Sequence, residues 1–180
     1  MTFNNVFNRE DLIVRDLTGS GKTLGFSLPT VEYLRKNKMF GTGKIQTIVL
    51  APTRELAIQI TRVMNDLKHH DKEYNVLSVY GGASMDDQIW QLRRGVDILV
   101  GTTGRVLDHM ERGNLNFSEL KTIILDEADQ MMKLGFKEDI DRILGNIKAA
   151  VASMPQFLLF SATVPSWIRG LAQSYLNPKW

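Results

Sequence analysis

Short β-rich apolar runs punctuate this chain at 11–15 (DLIVR), 46–50 (QTIVL), 75–80 (NVLSVY), 97–100 (DILV), 121–126 (KTIILD) and 156–160 (QFLLF). Between them apolar residues return at helical spacing, as Leu56, Ile60, Val63 and Leu67 do, and again Ile140, Ile143, Leu144 and Ile147. The strand runs are continuously apolar and do not alternate with polar residues. That is the pattern of strands covered on both faces by crossover helices. The pattern predicts an α/β fold, an open parallel sheet flanked by helices. No internal repeat, Pro- or Ser-rich linker or charge block divides the chain, so residues 1–180 read as one domain.

Composition narrows the class. With 180 residues, 43% hydrophobic and 23% charged, the chain has apolar matter for a real core, which excludes a disordered or low-complexity reading. There is no cysteine, which removes disulfides, thiolate-bound zinc and thiol catalysis. No apolar run approaches the ~18 residues of a spanning helix, and the start, MTFNNVFNRED, lacks the basic lead and apolar stretch of a leader; no membrane partner is expected. The net charge of +2 permits local nucleic-acid contacts without demanding them.

In open parallel sheets ligands bind where strands end at their carboxyl edge. After the first strand comes Asp16-Leu17-Thr18-Gly19-Ser20-Gly21-Lys22-Thr23 and then a helical stretch through Leu34, bent at Pro29. This is the pattern of a phosphate-binding loop. Glycines let backbone N–H groups close on phosphate oxygens, the helix N-terminus adds its positive end, Lys22 reaches the β and γ phosphates, and Thr23 can ligate Mg²⁺. The alternative is a plain Gly-rich strand-to-helix turn. The strict pattern asks for Gly where Asp16 stands. Gly41-Thr42-Gly43-Lys44 precedes a strand instead of a helix and reads as a surface turn.

A nucleotide site also needs carboxylates after a second buried strand, and residues 122–125 run straight into Asp126-Glu127-Ala128-Asp129. Asp126 would hold Mg²⁺ and Glu127 would orient or deprotonate the attacking water. Alternatively these acids are only an N-cap and the first turn of a helix.

Asp126-Glu127-Ala128-Asp129 together with TGSGKT (18–23) resembles the DEAD-box family of ATP-dependent RNA helicases, and the remaining motifs follow in order. Pro52-Thr53-Arg54-Glu55-Leu56-Ala57 is similar to motif Ia, Gly81-Gly82 to the glycine pair, Thr102-Thr103-Gly104-Arg105 to motif Ib, and Ser161-Ala162-Thr163 to motif III. The resemblance implies a RecA-like P-loop NTPase domain, the first of two in such a helicase, using ATP/ADP and Mg²⁺. Thr18, Gly19, Ser20, Gly21, Lys22 and Thr23 would hold the nucleotide. Lys22, Asp126 and Glu127 would be catalytic, with Thr23 and Asp126 at the metal. Pro52, Thr53, Arg54, Gly81, Gly82, Thr102, Gly104 and Arg105 would contact RNA. Asp129, Ser161 and Thr163 would couple hydrolysis to RNA release. The partners it implies are RNA and a second RecA-like domain carrying the arginine finger. An adenine-reading Q motif would lie just upstream of Met1. Two positions depart from the family: Asp16 stands where it has Ala, and Thr103 where it usually has Pro. The Thr2-Phe3 start, DQMMKLGF (129–136) and SATVPSWI (161–168) resemble the nucleolar RNA helicase II, or Gu, branch, which points to the nucleus or nucleolus, with the cytoplasm left open.

The residues themselves support a nucleic-acid partner. Arg54 and Arg105 follow strand ends beside hydroxyl residues and helix starts, as phosphate contacts require, although either taken singly reads as a solvated or ion-paired arginine. Such contacts follow the sugar-phosphate backbone without reading bases. His69-His70-Asp71 reads as a polar helix end and no metal site, Trp90 and Trp167 as core or half-buried anchors, and Met131 and Met132 as packing residues. Ser161 and Thr163 could instead cap a helix beginning near Pro165. Two competing functions stay open: a DNA-directed P-loop ATPase of the same superfamily, and a non-catalytic RNA-binding scaffold with a decayed nucleotide site.

Overall fold

A computed structural model of the chain describes residues 2–15, 21–70 and 73–176. Its elements run α1 (Thr2–Phe7), β1 (Leu12–Arg15), α2 (Lys22–Lys36), β2 (Thr47–Ala51), α3 (Arg54–Asp66), β3 (Val76–Val79), α4 (Met85–Arg93), β4 (Ile98–Thr102), α5 (Thr103–Glu111), β5 (Thr122–Leu125), α6 (Ala128–Lys133), α7 (Lys137–Ala150), β6 (Gln156–Ser161) and α8 (Ser166–Tyr175). The six strands form one sheet in the order β1-β6-β5-β2-β4-β3, and every pair is parallel. All six runs read from the sequence are strands, within a residue or two at each end.

The unbroken apolar runs have a simple cause. Along β2, Ile48 and Leu50 face one core while Val49 and Ala51 face the other, and β5 divides the same way, Ile123 and Leu125 against Ile124. One core is closed by α1, α2 and α3 through Val6, Phe26, Ile60 and Met64. The other is closed mainly by α5, α7 and α8 through Val106, Ile143, Ile147, Ile168 and Leu171. Each such side chain, fully buried, contributes about 1.5–3 kcal/mol. Ile140, Ile143, Leu144 and Ile147 form the buried face of α7, as their spacing predicts.

Three packing expectations need correction. On α3 the buried face is Ala57, Ile60 and Met64, with Leu56, Val63 and Leu67 only half-buried. The buried arc is thus turned by one position, with Ala57 in place of Leu56 and Met64 in place of Val63. Met131 is fully buried but Met132 is 40% exposed, because neighbours in a helix point about 100° apart and the six-residue α6 turns one side to the core. Trp167 is buried, whereas Trp90 is 59% exposed. It lies on α4, which packs at the edge strand β3, and its ring is covered by Arg94, 4.6 Å from the centroid.

Helix α1 carries no apolar periodicity that would announce it. This helix is fastened by aromatic contacts, Phe3 on Phe7 and Phe7 edge-on to Tyr33, and by the residue that follows it. Arg9 takes a positive φ of 68° and donates to Thr122 Oγ1 (2.7 Å), Gln156 Oε1 (2.9 Å) and the Lys121 carbonyl, with its guanidinium 4.6 Å from the Tyr33 ring centroid. It thereby clasps α1 to the amino edge of β5 and β6. Pro29 lies inside α2, which continues through it. Gly41 and Gly43 both take positive φ in an exposed turn, as expected of that segment. Among the described residues no helix is long and apolar enough to cross a membrane.

Candidate nucleotide and nucleic-acid site

Because every strand runs the same way, all six carboxyl ends lie along one edge, and the sheet order decides which motifs become neighbours. At the β1 end, Thr18, Gly19 and Ser20 lie outside the described residues, as does Asp16. Gly21 takes the left-handed conformation (φ 82°, ψ 17°) directly before α2, the geometry for which glycine carries no penalty. Lys22 and Thr23 are the first residues of that helix and are half-buried.

At the β5 end the buried strand delivers Asp126, whose side chain is almost wholly enclosed, 2% exposed. Its Oδ1 accepts the Glu127 amide at 2.9 Å. Burial pushes its carboxyl up to about 6, the nearby Lys22 charge opposes that rise, and Glu127 adds to it. Glu127 takes a left-handed backbone (φ 53°, ψ 48°), a conformation costing a residue with a Cβ about 1–2 kcal/mol. That turn converts strand to helix, so Glu127 is the N-cap of α6 by position, yet its side chain makes no cap hydrogen bond. The bland reading of these acids as helix caps therefore lacks its defining bond. Asp129 is buried beside the β6 end, where its amide donates to Ser161 Oγ at 3.2 Å and Thr163 Oγ1 donates to its Oδ2 at 3.3 Å. Burial works to raise this carboxyl, but hydrogen bonds from Ser161, the Ala162 backbone and Thr163 hold it below its ordinary value. Ser161 and Thr163 thus bond to Asp129, while α8, with Pro165 at its N-cap, has no side-chain cap.

The other half of the edge joins the ends of β2, β4 and β3. Pro52 is buried, and Thr53 caps α3 by accepting the Leu56 amide at 3.2 Å. Arg54, exposed, lies with its guanidinium 4.8 Å from the Tyr80 ring centroid at the β3 end. Its Nη1 stands 3.7 Å from where a Cβ on Gly82 would be, and Gly82 has φ 82°. Gly81, Gly82 and Gly104 are exposed, and Thr102 is half-buried at the junction of β4 and α5. Arg105 donates through one nitrogen to the Ala83 carbonyl and to Gln88 Oε1, both at 3.1 Å. Thr103, the departure from proline, opens α5 as its first residue, where no intrahelical N–H partner is required, and its buried hydroxyl lies 3.6 Å from Met131 Sδ. Sequence reasoning missed Gln88 and His109, both buried, and the half-buried Asn114, which form a polar chain behind Arg105. Tyr80 beneath Arg54 was missed as well.

The candidate residues therefore fall into two neighbouring groups, Lys22 to Thr163 along β1-β6-β5 and Pro52 to Arg105 along β2-β4-β3. A scan against protein-family models matches residues 1–171 to the DEAD/DEAH box helicase family. The chain belongs to that family. Among similar proteins, mouse ATP-dependent RNA helicase DDX50 is 42% identical over 99% of this chain and 24% of its own length. Rat Nucleolar RNA helicase 2 is 41% identical over 98% and 22%, and Escherichia coli ATP-dependent RNA helicase DeaD 42% over 96% and 26%. This DEAD/DEAH box chain spans about a quarter of the length of those relatives. Their near-equal identities do not single out the nucleolar branch. Among solved structures, a DEAD box protein from the hyperthermophile Methanococcus jannaschii superposes with a TM-score of 0.86 at 38% identity, covering 98% of this chain and 46% of that one. The yeast DEAD-box splicing factor Prp28 gives 0.83 at 32%, covering 93% and 40%.

Proposed function

We propose that this chain is the first, ATP-binding RecA-like unit of an ATP-dependent RNA helicase, coupling ATP binding and hydrolysis to RNA duplex unwinding or RNP remodelling. The observation that carries the reading is the division of one sheet edge into an acidic, lysine-bearing half and an arginine- and glycine-bearing half. The buried Asp126 carboxyl, whose charge is disfavoured by burial and only partly offset by Lys22, and the Thr23 hydroxyl at the start of α2 are hard oxygen donors of the kind Mg²⁺ takes beside a triphosphate. Bound ATP would supply the transferable phosphoryl group, and Mg²⁺ the cationic charge that Asp126 lacks. Gly21, Lys22 and Thr23 bind the phosphates, Thr23 and Asp126 hold the metal, and Glu127 orients the attacking water. Asp129 relays a change there to Ser161 and Thr163.

Arg54, Gly82, Thr102 and Arg105 grip the sugar-phosphate backbone, and the open Gly81-Gly82 turn admits it closely. A second RecA-like unit supplies the opposite wall and the arginine finger, worth about 10³- to 10⁵-fold in comparable enzymes. In a protein carrying both units, ATP hydrolysis should rise with single-stranded RNA and stop in Glu127→Gln, which keeps ATP and RNA binding. Stimulation by DNA alone would favour a DNA-directed ATPase, and no hydrolysis under any condition a scaffold.

A further inference from the structure

Gln88 is the only buried residue of α4, 4% exposed, on a helix whose neighbours Asp86, Asp87 and Trp90 face water. A polar residue there is justified by its bonds. Its amide nitrogen donates to the Tyr80 carbonyl at 3.2 Å, at the end of β3. Its Oε1 receives Arg105 Nη1 at 3.1 Å and His109 Nε2 at 2.8 Å, both from α5. The amide orientation is fixed by chemistry, since the reverse would set an NH₂ against a guanidinium. The histidine tautomer follows: Asn114 Nδ2 lies 3.2 Å from His109 Nδ1, so the neutral ring accepts there and donates from Nε2 to Gln88. Burial, with the Arg105 charge second, favours that neutral form.

Arg105 spends the same nitrogen on the Ala83 carbonyl, one residue past the glycine pair. One buried amide therefore ties the strand before the Gly81-Gly82 turn to the arginine that ties the residue after it. Resting on the RNA reading above, we propose that Gln88 is a positioning residue for RNA: it holds Arg105 and the Gly81-Gly82 turn in a single preformed arrangement, with His109 and Asn114 holding Gln88. Without it the arginine must be ordered at the moment of binding, at a cost in affinity.

The test is fluorescence anisotropy of a labelled single-stranded oligouridylate with a protein carrying both RecA-like units. Arg105→Ala should weaken binding about tenfold, as loss of a charged phosphate contact does. Gln88→Met, which keeps the side chain's bulk and removes its donor and acceptor, should weaken it about three- to tenfold. The double variant should bind no worse than Arg105→Ala alone, while Gln88→Met and Arg54→Ala should multiply. A purely structural role for Gln88 would not single out Arg105 in this way. Wild-type affinity in Gln88→Met, with Arg105→Ala still weakened, overturns the positioning role and leaves the RNA reading standing. No RNA binding by the wild type overturns both. A second measurement covers poor folding of Gln88→Met: in Arg105→Ala, amide hydrogen exchange over residues 82–84 should accelerate relative to wild type, and unchanged exchange overturns the tie.

Discussion

Replacing Asp126 by asparagine should make the metal-free protein more stable, although the residue stands at the centre of the proposed site. The carboxyl is 2% exposed and its pKa moves from 3.8 to about 6, chiefly because burial penalises its charge. About two pKa units at 1.36 kcal/mol each set a ceiling near 3 kcal/mol for the strain of ionising it in place. Asparagine keeps an Oδ1 to accept the Glu127 amide, and its own desolvation takes back part of the gain, so about 1–3 kcal/mol is expected at pH 8. For a domain of this size 2 kcal/mol is about 4–8 °C in Tm. The sign with pH follows from a raised carboxyl: the folded state holds the proton more tightly than the unfolded one. Wild-type stability therefore falls as pH rises from about 4 to about 6, and the gap between variant and wild type opens over that window. Thermal and urea melts in EDTA at pH 4 and pH 8 measure it directly. Added Mg²⁺ and ADP should then stabilise the wild type and not Asp126→Asn. Equal melting of the two proteins at pH 8, or a gap that persists unchanged at pH 4, would refute the reasoning.

Three further outcomes are expected. Glu73, held down to about 2 by hydrogen bonds from Arg35 and the His69 amide, contributes stability that is present above about pH 4.5 and is lost as pH falls through about 2; Glu73→Gln should cost about 1–2 kcal/mol at pH 7, and urea midpoints should converge with wild type near pH 2. Arg9→Ala should cost about 2–3 kcal/mol in urea unfolding by stripping partners from Thr122, Gln156 and Lys121, and Arg9→Gly should cost about 1 kcal/mol less than alanine because its φ of 68° suits glycine. Gly101→Ala places a methyl 2.4 Å from Val106 Cγ2 and 2.8 Å from Val79 Cγ2, so about 3 kcal/mol should be lost, with Val106→Ala restoring part of it in the double variant's melt.

What could be read from sequence is what repeats or what is exposed to one rule. Strands buried on both faces announce themselves as unbroken apolar runs, and a parallel sheet then obliges the strand-end residues to share an edge, so Lys22, Asp126 and Arg105 were legible as one surface. Order within the sheet was not legible, because β6 slips between β1 and β5 without any local signal. Gln88 was invisible for another reason. A single glutamine on a polar helix looks solvated, and only the tertiary placement of Tyr80, Arg105 and His109 turns it into a buried junction. Trp90 failed the other way, since an aromatic residue reads as core until the edge position of its helix is known.

The sheet order also limits how the two halves of the site can influence each other. The phosphate half ends at β5 and the proposed RNA half begins at β2, so the ladder between these two strands is their one shared backbone contact within the sheet. Its last rung toward the site is the Asp126 amide donating to the Leu50 carbonyl at 3.0 Å, which joins the metal-binding candidate to the strand that leads into Pro52, Thr53 and Arg54. A side-chain link runs alongside it, from the Thr103 hydroxyl to Met131 Sδ, and the Met131 amide in turn bonds the Glu127 carbonyl at 3.1 Å. Thr103 lies between Thr102 and Gly104, so a shift of the Glu127 turn reaches the start of α5 through two bonds and one thioether. A hydroxyl-to-sulfur contact is weak and yields easily, whereas the backbone rung does not. A displacement of Glu127 would therefore be absorbed largely at the Thr103–Met131 contact before it reached α5, which leaves the Asp126–Leu50 rung as the stiffer connection between the two halves.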